Sequence, residues 1–137
     1  MADWSFDIFT SGSLRHYIAR SDRLPDSKTF ELFCTNYDSQ VTAALFIPEQ
    51  NQRKKSLKNL NIRVDQGRQW SIRASAHTMS LVSRQTLSHS LLSDLKTGNR
   101  VTVTYPLSKD KNTSLRFSLK GSGKALARLE KQCAAAG

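Results

Sequence analysis

Four residues near the end of the chain, Gly121-Ser122-Gly123-Lys124, stand between an alternating strand pattern (Ser114 to Leu119) and a short amphipathic helix pattern that ends at Cys133. Glycines and a lysine at a strand-to-helix junction are the chemistry of a phosphate cradle, because helix-start amides and an ammonium both favour an anion. The spacing fails that test. A Walker loop would need its first glycine where Ser118 stands and its magnesium-holding Ser or Thr where Ala125 stands. The glycines read instead as a turn at positive φ, with Ser122 or Gly123 capping the helix and Lys120 and Lys124 left for a weak anion contact.

The remaining reactive residue types do not assemble into a catalytic set. Cys34 and Cys133 are the two cysteines and lie far apart, without the close pairs that zinc or redox motifs use. Both fall on apolar faces, which leaves two buried thiols or one long-range bridge as alternatives; a bridge would require an oxidising compartment. His16, His77 and His89 are scattered and have no acidic neighbour at useful spacing, and a buried thiol is a poor nucleophile. Ser93 to Lys96 and Ser108 to Lys111 match Ser-x-x-Lys, but without the companion motifs that give it meaning. Acidic residues are too dispersed for a paired-carboxylate hydrolase. The expectation is a protein that is not an enzyme and that has no metal site and no cofactor.

Composition bounds the scaffold that must position any binding residues. At 137 residues the chain fits one β-rich domain over 1–137, large enough to bury roughly two-thirds of its unfolded surface. Hydrophobic residues make up 38% and charged residues 23%, a globular balance. No run of about 18 apolar residues could cross a membrane as a helix. Met1-Ala2-Asp3-Trp4 lacks the charged and apolar regions of a signal peptide. Taken as the native start it predicts a cytoplasmic protein; a chain begun at its mature end would look the same.

The net charge of +10, from 21 Lys and Arg against 11 Asp and Glu, favours an anionic partner: nucleic acid, an acidic glycan, anionic lipid headgroups or an acidic protein. The densest cluster is Arg53, Lys54, Lys55 and Lys58, in a polar loop after Pro48 that contains no aromatic residue. A second group gathers near the C-terminus, with Lys120, Lys124 and Arg128 as its candidate contact residues. Single-stranded nucleic acid is the second reading, since Arg68-Gln69-Trp70-Ser71-Ile72-Arg73 interleaves aromatic and positive side chains. Trp70, however, is in phase with Ile72 and Ala74, which predicts a core position.

Strand patterns fill most of the chain. Trp4, Phe6 and Ile8 alternate with polar residues up to Ser11-Gly12-Ser13, and Leu14 to Ala19 supplies a hairpin partner. Phe30, Leu32 and Cys34 share one face, and Val41 to Ile47 is a nearly continuous apolar run stopped by Pro48. Ile62 and Val64 lead into Asp65-Gln66-Gly67, and Trp70, Ile72 and Ala74 lead out, the clearest hairpin signal in the sequence. Ser75 to Ser90 is ambiguous. A helix is expected over Ser90 to Lys96 with Gly98 just past its end, followed by a strand pair built on Val101, Val103, Tyr105 and on Leu115, Phe117, Leu119. Leu126, Leu129 and Cys133 recur at helical spacing. About eight strands with a short C-terminal helix packed on them predict a mainly β fold, an antiparallel sandwich or half-barrel. Its core face is expected to hold Trp4, Phe6, Ile8, Phe30, Leu32, Val64, Trp70, Ile72, Val101, Val103, Phe117 and Leu119.

A Trp-led first strand, a Cys on an early strand, an Asp-x-Gly hairpin followed by a Trp strand, and the ending Phe117-Ser118-Leu119-Lys120-Gly121-Ser122 with Ala125-Leu126 and Leu129 through Cys133 resemble the small exported bacterial proteins grouped around invasion-associated locus B. The resemblance spans most of the chain and implies a periplasmic or secreted β-rich domain with no established enzymatic activity, an oxidising compartment, and pairing of Cys34 with Cys133. The chain departs from that pattern in having no cysteine near Trp4 and in its strong basic charge. The resulting expectation is a non-catalytic exported binding or accessory protein of the bacterial envelope, host interaction among its roles, that meets an anionic macromolecule or acidic protein through basic residues.

Overall fold

The computed structural model describes residues 3–47, 57–77, 79–108 and 110–136. Its strands are β1 (Ser5–Ser11), β2 (Leu14–Arg20), β3 (Thr29–Thr35), β4 (Thr42–Phe46), β5 (Leu57–Val64), β6 (Gln69–His77), β7 (Ser80–Ser83), β8 (Arg100–Ser108) and β9 (Lys111–Ser118). Two helices complete it, α1 (His89–Thr97) and α2 (Ser122–Ala136). The nine strands form one open sheet in the order β1-β2-β3-β4-β7-β6-β5-β8-β9, and the paired strands are antiparallel. The mainly β architecture with a C-terminal helix on the sheet is the expected one. β7, inside the ambiguous stretch, brings the strands to nine; its four residues are too few for an alternation to show.

Turn chemistry sets the hairpins. Gly12, at φ +61, opens the two-residue turn between β1 and β2, where a side chain would be strained. Asp65 takes φ +52 between β5 and β6, and the Gly67 amide closes that turn on Val64 O at 3.0 Å. Helix α1 starts at His89, one residue before the expected Ser90, and Ser88 is its cap, accepting from Leu91 N at 3.1 Å, while the Gly98 amide donates to Asp94 O at the far end.

The sheet is curled. Six strand spacings of about 4.8 Å would hold β3 and β9 about 29 Å apart in a flat sheet. Yet the rings of Phe30 on β3 and Phe117 on β9 stack with centroids 6.1 Å apart. Trp4 joins them edge-on, 6.3 Å from Phe30, and ties the two ends of the sheet: its amide donates to Lys120 O at 3.0 Å and its indole Nε1–H to Ser118 O at 2.7 Å. Helix α2 lies in the concavity against β1, β2, β3 and α1, burying Ala125, Leu126, Leu129 and Cys133. Cys133 is bonded there to Cys34 on β3, both 2% exposed, with their Cα atoms 6.0 Å apart. Burying this apolar face is the main source of stability.

The expected core face holds at most positions. Phe6 and Trp70 are only partly buried against the core, and Ile8 is 48% exposed. Strand alternation predicts which face a residue shares, but β1 is an edge strand and its face extends beyond what the rest of the protein covers.

Candidate functional site

The residues that alternate with the core on β5, β6, β8 and β9 form a polar outer face. In register across β6, β5, β8 and β9 lie Gln69, Arg63, Thr102 and Arg116, and beside them Ser71, Asn61, Thr104 and Ser114. Strand pairing puts Arg63 and Arg116 two spacings apart, about 10 Å at the backbone. Arg100, two residues before Thr102, adds a third guanidinium on the same face. Arg63, Arg100, Arg116, Asn61, Thr102 and Thr104 are among the residues lining a surface cavity of about 620 Å³. Hydroxyl and amide groups tie its Thr104 and Asn61 to neighbouring strands: Thr104 Oγ1 and Ser114 Oγ share a hydrogen bond of 2.8 Å, and the Ser71 hydroxyl donates to Asn61 Oδ1.

One carboxylate borders this cavity. Asp65 Oδ1 accepts from the Arg100 amide at 3.0 Å and its Oδ2 from the Asn99 amide at 3.1 Å, so it is held against the backbone at one end. Three guanidiniums and one carboxylate therefore share the lining of this cavity. Planar guanidinium groups donate two parallel hydrogen bonds to a carboxylate, sulfate or phosphate, which makes such a face competent to bind oxyanions.

The residues singled out in the sequence distribute differently. Lys124 and Arg128, one helical turn apart on α2, line a second cavity of about 330 Å³ with Asp3, Trp4, Ser5, Phe6, Gly121 and Ala125. Lys120 reaches within 4.0 Å of Asp3 Oδ1, and the Arg128 guanidinium sits 4.8 Å over the Phe6 ring. Asp3 and Phe6 therefore already engage part of this group. Lys58 is on β5, in phase with Leu60 and Ile62 and half-buried, and does not line that cavity. Arg53, Lys54 and Lys55 lie outside the described residues.

The glycine turn does the structural job its spacing predicts. Gly121 has φ +81, and a Cβ there would stand 2.7 Å from Asp3 Cβ. Ser122, 1% exposed, does not cap the helix as expected; its hydroxyl donates to Leu95 O at 2.6 Å, joining the start of α2 to the end of α1. That hydroxyl is spent on protein, which removes it from any phosphate contact. Trp70 lies in the core phase with the Arg68 guanidinium 5.1 Å from its ring, so it offers no stacking surface on the arginine face. Among the described residues, no group of three or more His, Cys, Asp and Glu stands where it could hold a metal ion.

Arg63, Arg100 and Arg116 escape a search for charge runs because they are scattered singly along the chain. The available signal was their phase, each alternating with core residues on a strand. Only the register brings them together.

A curled antiparallel sheet, closed by a disulfide-bonded C-terminal helix and carrying Arg63, Arg100 and Arg116 on its outer face, defines a β-rich module with an exposed polar surface and a tied-down interior. The chain belongs to the invasion associated locus B (IalB) protein family, whose family model matches residues 29–130. The match runs from the start of β3 into α2 and includes Cys34. The fold is also similar to the crystal structure of invasion associated protein b from Bartonella henselae, with a TM-score of 0.63 and 14% identity over 96% of this chain and 93% of that one. At that identity the likeness is one of fold. No curated protein matches the chain.

Proposed function

We propose that this chain is a non-catalytic, exported binding or accessory protein of the bacterial envelope, host-directed in role, acting as one β-rich unit over 1–137 that holds an anionic partner on a basic surface. The observation that carries the reading is the arginine face: Arg63, Arg100 and Arg116 lining one cavity of about 620 Å³, with the single bordering carboxylate engaged by backbone amides. Family membership supports a part in invasion, and a cross-link between two buried sulfurs suits an oxidising, extracytoplasmic compartment. Lys120, Lys124 and Arg128, with Lys58, Arg53, Lys54 and Lys55, form secondary positive groups that raise local anion concentration and steer encounter.

The test is retention on three immobilised polyanions, heparin, polyphosphate and a dT oligonucleotide, at about 0.15 M salt, where long-range charge effects are screened. The reading expects retention on at least one, weakening with rising salt, and a loss of roughly tenfold or more in the R63A/R100A/R116A variant. Absence of retention on all three, or a variant that binds like the parent, overturns it.

A further inference from the structure

We propose that the partner of the arginine face is an acidic polysaccharide lying across the strands, along the row Gln69, Arg63, Thr102 and Arg116. This rests on the reading of that face as an anion-binding surface and names its ligand class. The positive residues are set along the sheet rather than on one loop: the Arg63 and Arg116 backbones are two strand spacings apart, about 10 Å, with Arg100 off the row. A single small phosphate would meet all three only if the side chains bent inward to converge on it. A chain carrying an acid group on successive units could meet them one by one.

Thr102 stands between Arg63 and Arg116, and the row beside them is neutral and rich in groups that both donate and accept. Asn61, Thr102, Thr104 and Ser114 present amides and hydroxyls suited to sugar hydroxyls, and the Thr104–Ser114 bond of 2.8 Å holds two of them in place. Competing ligands lack a partner on this face. Single-stranded nucleic acid binds by stacking bases on exposed aromatic rings, and Trp70 and Tyr105 belong to the core phase here. Tight hold on an anionic membrane adds insertion of apolar side chains to charge attraction, and the exposed large hydrophobics Ile8, Phe9, Tyr37 and Met79 lie outside the cavity lining.

Calorimetric titration of the full chain distinguishes the outcomes, using a heparin-derived octasaccharide, an oligogalacturonate, and a dT oligonucleotide and a polyphosphate matched to them in charge. At least one acidic saccharide should bind roughly tenfold or more tighter than dT and polyphosphate at about 0.15 M salt; whether sulfate or carboxylate is preferred follows from the first two arms. R63A/R116A should weaken saccharide binding about tenfold or more and reduce the salt slope by about two. R63K/R116K, which keeps the charge but loses the planar fork, should still weaken it about threefold or more. These side chains are on the outer face, so a melting temperature equal to the parent's verifies folding of each variant. If dT or polyphosphate binds as tightly as the saccharides through the same arginines, the polysaccharide assignment fails and the anion-binding reading stands. If no polyanion binds, or R63A/R116A leaves binding unchanged, both fail.

Discussion

Breaking the Cys34–Cys133 bond should remove a large part of the stability margin while leaving the fold in place. The cross-link closes a loop with a sequence separation of 99. In the chain-entropy treatment, constraining the unfolded chain over about 100 residues contributes about 4.7 kcal/mol at 25 °C. Domains of this size are stable by only about 5–15 kcal/mol in total, so the loss is of the same order as the margin. With a urea slope of about 2 kcal/mol/M, the unfolding midpoint should fall by about 2.3 M. Leu126 and Leu129, both fully buried, hold α2 in the concavity whether or not the sulfurs are joined, so without denaturant the far-UV circular dichroism of the reduced protein should match the oxidised protein. The assay is urea titration followed by tryptophan fluorescence, on oxidised protein, on protein reduced before titration, and on Cys34→Ala/Cys133→Ala. A midpoint drop below about 0.5 M in both reduced and variant protein would refute the long-loop argument. It would mean that the unfolded chain is already compact enough for the bond to constrain little.

Three further outcomes test the packing. Gly98→Ala would bring a Cβ within 2.2 Å of Val64 Cγ1 and 3.0 Å of Asp94 O at the α1 terminus; overpacking should cost about 1–3 kcal/mol, read as a lower thermal midpoint, and an unchanged midpoint would show that Val64 yields to the added methyl without cost. Trp4→Phe keeps a ring against Phe30 but removes the indole donor 2.7 Å from Ser118 O; a loss of about 1–3 kcal/mol in chemical denaturation is expected, with a value near zero showing that the ends of the sheet do not depend on that bond. Glu130→Ala breaks the 2.7 Å ion pair with Lys96 between the two helices, but both side chains are about one-third exposed, so the change in stability should stay below about 1 kcal/mol; a larger loss would assign that pair a structural weight that solvent screening denies it.

Alternation along a strand reports the phase of each side chain and says nothing about its neighbours on other strands. That is why Val64, Ile72, Phe117 and Leu119 were legible as core from the sequence, since being apolar and in phase sufficed. Ile8 is equally apolar and in phase, yet 48% exposed, because what decides its burial is β1's position at the sheet edge. The same limit explains the site. Lysine-rich runs such as Arg53 to Lys58 draw attention because their charges are adjacent in the chain, whereas Arg63 and Arg116 belong to strands joined only through β8. Thr102 on β8 is the link: it pairs with Arg63 on one side and Arg116 on the other. A slip of β8 by one residue would send Val101 and Val103 to the solvent face and Thr102 into the core, so the apolar alternation that builds the core also enforces the register that assembles the arginines. The arginine face is therefore a by-product of the core's own register, written in the sequence at every second position but readable only after the strands are paired.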